Sequence, residues 1–131
     1  MITLPIDHVA VATDSIAETV RIFERISGAR CSPVEDLPAQ GVRVAFVGEV
    51  ELLEPLSPET TVARFLERNG PGLHHIAYRT GDIRAELARL MAEGFQAIDP
   101  EPRPGARGHL VAFLHPRGTG KILVELVQHP D

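Results

Sequence analysis

Two histidines and two glutamates stand at matched places in this sequence. His8, in Ile6-Asp7-His8-Val9-Ala10, is followed 67 residues later by His75, in Leu73-His74-His75-Ile76-Ala77. Glu51, in Val50-Glu51-Leu52, is followed 74 residues later by Glu125, in Val124-Glu125-Leu126. A carboxylate set between apolar neighbours is costly to bury unless a cation or strong donors compensate it. A metal ion would do so. If the two copies of the repeat pack about a pseudo-twofold axis, the four side chains can converge into a set of two imidazole nitrogens and two carboxylate oxygens. Such a set is acceptable to Zn, Co, Ni, Mn or Fe(II), with positions left for water or substrate. A lone histidine on a strand is ordinarily a hydrogen-bonded structural residue, and a glutamate on a terminal strand ordinarily faces solvent. Repetition of the pair in register points to ligation, against the plainer alternative of a relic of duplication. No compact ligand motif such as HExxH or CxxC adds to it.

The repeat also organises the elements that must carry these residues. Ile16, Val20, Phe23, Val44 and Phe46 recur as Ile83, Leu87, Leu90, Val111 and Phe113, all 67 positions on. The seven residues His115 to Lys121 form an insertion that moves the final match to the longer offset. Each copy opens with a short apolar strand, Ile6 to Ala12 or Leu73 to Tyr78. An amphipathic helix follows, capped by Asp14 or Ser15 in the first copy and by Asp82 in the second, and ended by Gly28 and Gly94. Three further strands are expected at about 30–35, 42–48 and 49–54, then at about 95–99, 109–114 and 122–128. The fold class is α+β: two βαβββ modules related by internal duplication, forming a mixed eight-stranded sheet around a metal site. Residues 1–131 make one domain, with module 1 at about 1–56, a linker helix at about 57–70 that ends at Asn69-Gly70, and module 2 at about 71–131. Residues 100–108, with three prolines and two glycines, read as an irregular loop.

Composition excludes several functions. The chain has 131 residues, 44% hydrophobic and 24% charged, which suits a single packed core. Thirteen Lys and Arg against 18 Asp and Glu give a net charge of −5, the wrong sign for a nucleic-acid surface. With 5% aromatics and no Trp, base-stacking platforms are also hard to build. The single cysteine, Cys31, rules out an intrachain disulfide and fits a reducing compartment. No signal-like stretch opens the chain and no segment is long and apolar enough for a membrane span, so a cytoplasmic protein is expected. Gly118-Thr119-Gly120-Lys121 is no phosphate loop, because His115 stands where the first glycine should be and a strand follows. Arg103, Arg107, Arg117 and Lys121 lie in two loops and offer a local phosphate contact or a merely solvated face. His74 is expected on the opposite strand face from His75, and His115-Pro116 shapes a rim or a turn.

These phrases resemble the vicinal oxygen chelate superfamily, whose members pair βαβββ modules around a metal. Within it, Val50-Glu51-Leu52-Leu53-Glu54-Pro55-Leu56, Gly72-Leu73-His74-His75-Ile76-Ala77, Phe113-Leu114-His115-Pro116 and Leu123-Val124-Glu125-Leu126 look like the methylmalonyl-CoA epimerases, over nearly the whole chain. The resemblance implies a divalent metal, Co, Zn, Mn or Ni, on His8, Glu51, His75 and Glu125. It implies interconversion of (R)- and (S)-methylmalonyl-CoA through a metal-stabilised enolate, with Glu125 and Glu51 as the bases, an acyl-CoA substrate and a homodimer. Some family members carry a further acid on the third strand, at the place matching Val44, which this chain lacks. A glyoxalase I-type lyase and a non-catalytic small-molecule binding protein are the alternatives on the same scaffold.

Overall fold

The register of strand pairing is where the duplication shows first. The computed structural model describes residues 3–131, so Met1 and Ile2, which open the N-terminal stretch read above, lie outside the described residues. The strands are β1 (Ile6–Ala12), β2 (Glu35–Leu37), β3 (Val42–Val47), β4 (Val50–Pro55), β5 (Gly72–Arg79), β6 (Arg103–Pro104), β7 (Leu110–Leu114) and β8 (Val124–Gln128). The helices are α1 (Ile16–Ser27), α2 (Thr61–Asn69) and α3 (Ile83–Ala92). Together they make an α+β fold, a mixed eight-stranded sheet with three helices. Two compact units are distinguishable, one of Val9–His74 and one of His75–Asp131 with the chain up to His8.

In the first unit the strands run in the order β2, β3, β4, β1, and in the second β5, β8, β7, β6. The parallel pair β1 and β4 sets Ala10 opposite Glu51, and the parallel pair β5 and β8 sets Ala77 opposite Glu125. The antiparallel neighbours place Phe46 opposite Glu51 and Phe113 opposite Glu125. A buried set of Ile16, Ala45, Val47 and Leu52 fills the first unit, and Ile83, Ala112, Leu114 and Leu126, with Leu87, fill the second. These are repeat-related positions, so the same apolar pattern builds both cores.

Helix entry is built twice in the same way. Ser15 caps α1 and accepts from the Glu18 amide; Asp82 caps α3 and accepts from the Ala85 amide. The first helical amide is also taken by a side chain from the last strand of its module. Ile16 N–H donates to Glu54 Oε1 at 2.8 Å, and Ile83 N–H donates to Gln128 Oε1 at 2.8 Å. These acceptors satisfy donors that a helix N-terminus leaves open. Helix α1 ends at Gly28, whose φ of 77° lies in the left-handed region that glycine adopts without strain. Helix α3 stops earlier than expected, with Glu93 as its C-cap and Gly94 following at φ 102°. The linker helix α2 starts after Thr60, whose side chain accepts from the Ala63 amide.

Two expected strands are not continuous ladders. The 30–35 segment contributes one bridge, Cys31 to Val47, before β2 begins at Glu35, and the 95–99 segment contributes one, Ala97 to Leu114. In both, a side chain replaces the main chain as acceptor. Phe46 N–H donates to Ser32 Oγ at 2.9 Å, and Phe113 N–H donates to Asp99 Oδ2 at 3.0 Å. Pro33 then removes a ladder donor from the first segment. The 100–108 loop is not wholly irregular. It holds the two-residue strand β6, opposite Val111 and Leu110, and a short 3-10 turn at Ala106–Gly108. Pro104 is tolerated there because β6 is at an edge of the sheet. Among the described residues, no helix is long and apolar enough to cross a membrane.

Leu87 is 1% exposed, so Leu87→Ala should cost about 2–5 kcal/mol. Gln128→Ala, which removes one acceptor at the α3 N-terminus, should cost about 1 kcal/mol. Urea unfolding at constant slope measures both, and equal costs would contradict this ranking.

Candidate metal centre

Three of the four expected ligands lie together in the second unit. His8 comes from β1, His75 from β5 and Glu125 from β8, each about 5% exposed. His8 Nε2 is 3.2 Å from Glu125 Oε1, and His75 Nε2 is 3.4 Å from the same oxygen. The two rings stand edge-to-face with centroids 5.6 Å apart. Phe113, which pairs in register with Glu125, packs its ring edge-on against His75 at 5.0 Å. The strand period explains the assembly. His75 precedes Ala77 by two residues and so shares its face of β5; Ala77 is the residue opposite Glu125, and its methyl side chain leaves room for the imidazole.

The fourth residue, Glu51, belongs to the first unit. It is 6% exposed on β4 and stands in register with Ala10, as Glu125 stands in register with Ala77. The duplicated pattern of histidine, alanine two residues on, and glutamate opposite that alanine therefore holds in both modules.

Charge decides what the trio can accept. Burial alone would raise the Glu125 pKa, but hydrogen bonding to His75 and His8 and their positive charge outweigh it and hold the carboxyl below its ordinary value. His8 Nδ1 lies 2.7 Å from Asp7 Oδ2, and a carboxylate can only accept, so that nitrogen carries the proton. In neutral His8 the Nε2 lone pair then faces the Glu125 carboxylate, and two electron-rich atoms at that distance need a positive species between them. A second proton on the imidazole is one solution and a divalent cation the other. The donor set fits the cation. Zinc bonds of about 2.0–2.2 Å at tetrahedral angles leave neighbouring ligand atoms roughly 3.3–3.5 Å apart. The His-Glu-His arrangement thus suggests a divalent metal site and does not select the metal.

Sequence reading passed over Asp7 and His129, although Asp7 adjoins His8 in the duplicated phrase. Asp7 Oδ1 lies 2.5 Å from His129 Nε2, and the His129 ring stacks on His109 with centroids 3.9 Å apart. Burial pushes the Asp7 pKa up, but hydrogen bonds and charge from His8 and His129 leave it net lowered. A signal was available: within the duplicated strand phrase Asp7 is the one charged residue, and the matching residue is His74. His74 packs edge-on against Phe65 at 5.0 Å. His115 resolves as a turn residue, its Nδ1 accepting from the Arg117 amide. Of the loop cations, Arg103 pairs with Asp99 at 3.3 Å and Arg117 donates to Gln96 at 3.3 Å.

Comparison with known proteins agrees with this geometry. The family model for the Glyoxalase/Bleomycin resistance protein/Dioxygenase superfamily matches residues 7–113. The chain is 36% identical over 126 residues to the mitochondrial methylmalonyl-CoA epimerase of Dictyostelium discoideum, covering 92% of this chain and 76% of that protein. It is 37% identical over 129 residues to the ethylmalonyl-CoA/methylmalonyl-CoA epimerase of Cereibacter sphaeroides, covering 94% and 96%. A solved methylmalonyl-CoA epimerase in complex with methylmalonyl-CoA and NH4+ superposes with a TM-score of 0.91 at 32% identity, covering 96% of this chain and 94% of that one. A glyoxalase-superfamily fold and sequence kinship over nearly the whole chain thus lead to one assignment: the protein belongs to the methylmalonyl-CoA epimerases of the glyoxalase/bleomycin resistance/dioxygenase superfamily.

Proposed function

We propose that this chain interconverts (R)- and (S)-methylmalonyl-CoA at carbon 2, with His8, Glu51, His75 and Glu125 holding a divalent metal ion and Glu125 and Glu51 serving as the two bases. The observation that carries the reading is the convergence of His8 and His75 on one buried Glu125 oxygen. Glu51 is included because its register with Ala10 repeats that of Glu125 with Ala77.

The carbon-2 proton lies between a thioester carbonyl and a carboxylate, so its removal leaves an enolate whose charge must be stabilised. A divalent ion held by these residues would supply the Lewis acidity for that charge. Glu125, buried and fixed by two imidazoles, accepts the proton from one face. Inversion requires delivery to the other face, and Glu51 is the repeat-related carboxylate for it. Val44, 2% exposed on β3, leaves no acid at that strand position. Both glutamates are buried, which limits the access of bulk water to the two carboxylates. Residues 1–131 act as one domain in this reading, as a cytoplasmic homodimer that covers exposed sheet edges.

The purified protein should bind about one divalent ion per chain in calorimetry and elemental analysis. Full affinity in a His8→Ala, His75→Ala double variant would remove the basis of the site. Proton NMR of methylmalonyl-CoA in D2O with Co-, Zn-, Mn- or Ni-loaded protein should show deuterium entering carbon 2 of both enantiomers. Glu125→Gln and Glu51→Gln should each abolish epimerisation, with exchange of a single enantiomer surviving in at most one of them. If no deuterium enters with any of these metals, the epimerase reading is wrong, and thioester formation from methylglyoxal and glutathione tests the lyase alternative. Light scattering at micromolar concentration should give twice the chain mass, and a strict monomer would refute the dimer alone.

A further inference from the structure

The two histidines are supported differently, and the difference is written into the repeat. Position 7 holds Asp and its counterpart 74 holds His. Only the first offers a carboxylate to the imidazole that follows it. Asp7 accepts from His8 Nδ1 at 2.7 Å through Oδ2 and from His129 Nε2 at 2.5 Å through Oδ1, so both oxygens are engaged. The Asp7 side chain is 11% exposed and that of His8 6%, so solvent screens this contact little. His129 follows β8 directly at Gln128 and is braced by its stack on His109, 3.9 Å away and 17° from parallel. The result is a line of contacts from His109 through His129 and Asp7 to His8, ending at Glu125.

We infer that Asp7 is a positioning residue for the metal site, fixing His8 as the Nδ1–H tautomer so that Nε2 is the ligating nitrogen, and that His129 fixes Asp7 in turn. The inference rests on the reading of His8 as a ligand given under Proposed function. Free neutral imidazole can carry its proton on either nitrogen, and only the Nδ1–H form presents a lone pair toward Glu125. A carboxylate on Nδ1 selects that form, locks the ring plane and makes Nε2 more basic. Partners of this kind are typically worth about 10- to 100-fold in metal affinity. The residue at the matching position before His75 is His74, which is not a carboxylate and packs edge-on against Phe65.

The test uses full-length wild type, Asp7→Asn, Asp7→Ala and His129→Ala, with two readouts. Zinc affinity is measured by competition calorimetry, and the His8 tautomer by long-range proton–nitrogen correlation spectra of the metal-free proteins. Asp7→Ala should lose about 10- to 100-fold in zinc affinity. Its His8 nitrogen signals should move from the Nδ1–H pattern toward a mixture of tautomers. His129→Ala should lose less in affinity with a shift in the same direction. Asp7→Asn keeps the shape without the charge and should fall between wild type and Asp7→Ala, which preserves the test should Asp7→Ala not fold. An unchanged His8 tautomer in Asp7→Asn and Asp7→Ala would overturn the inference even if affinity fell, since a structural role alone would then explain the loss. Wild-type behaviour of His129→Ala in both readouts would overturn the part given to His129. A wild-type protein that takes up none of Zn, Co, Mn and Ni would sink the proposed metal site instead, and the tautomer spectra would still decide the role of Asp7.

Discussion

Keeping a carboxylate out of water is the constraint on which the site depends. Glu125 is 5% exposed in the interior of the β5-β8-β7 sheet, and burying an ion costs several kcal/mol unless its charge is answered. Two imidazole nitrogens lie within 3.4 Å of one of its oxygens, and a positive species held among them, a proton or a divalent cation, answers the charge. That arrangement tolerates no slip in strand register. Moving β8 by one residue against β5 would turn Glu125 to the opposite face and bring Val124 or Leu126 into its place. The apolar core beneath α3, the alanine opposite the glutamate and the helix caps on the ends of β4 and β8 all serve to hold that register.

Duplication supplied the strand register and the helix entry twice, and the copies show which properties of a residue each contact uses. At the helix entries, Glu54 and Gln128 both place an Oε1 atom 2.8 Å from the first amide. An acceptor is what the helix end requires, so the amide serves as well as the carboxylate. Glu54 also has a second partner, Arg43, at 3.2 Å. Ser32 and Asp99 likewise share one task, accepting the amide of a β-strand phenylalanine, with different chemistry. Where charge itself is the property used, as at Asp7, the copy with His74 cannot substitute.

The sequence made the repeat, the helices and the long strands legible because each carries a periodic apolar pattern that survives in both copies. The four ligand candidates were legible for the same reason, being polar interruptions of that pattern at matched positions. The short strands were not. Whether residues 31–35 form a ladder depends on Ser32 reaching a partner amide and on Pro33 withholding its own, and neither contact leaves a periodic trace. The choice between Asp14 and Ser15 as cap was also open in sequence, since both residue types serve; the backbone at Ser15, φ −148° and ψ 107°, decides it. His129 was invisible because its partner, Asp7, lies 122 residues away and no pattern links a tail residue to the first strand.

The chemistry proposed for this chain makes symmetrical demands, and a duplicated site is a physical match to them. Two epimers that differ at one carbon, far from the other stereocentres of the CoA group, have nearly equal free energies. A catalyst for their interconversion gains nothing by favouring proton removal from one face, because lowering one direction's barrier lowers the other's equally at equilibrium. It needs a carboxylate for each face, each in similar surroundings. Repeat-related glutamates, each beside a phenylalanine and opposite an alanine, meet that need more directly than two unrelated acids would. The proposed ligation makes a different demand of the histidines: they would hold an ion and would not alternate roles, so nothing requires them to be supported alike. The copies can therefore diverge at position 7 against position 74, where Asp precedes one histidine and His precedes the other.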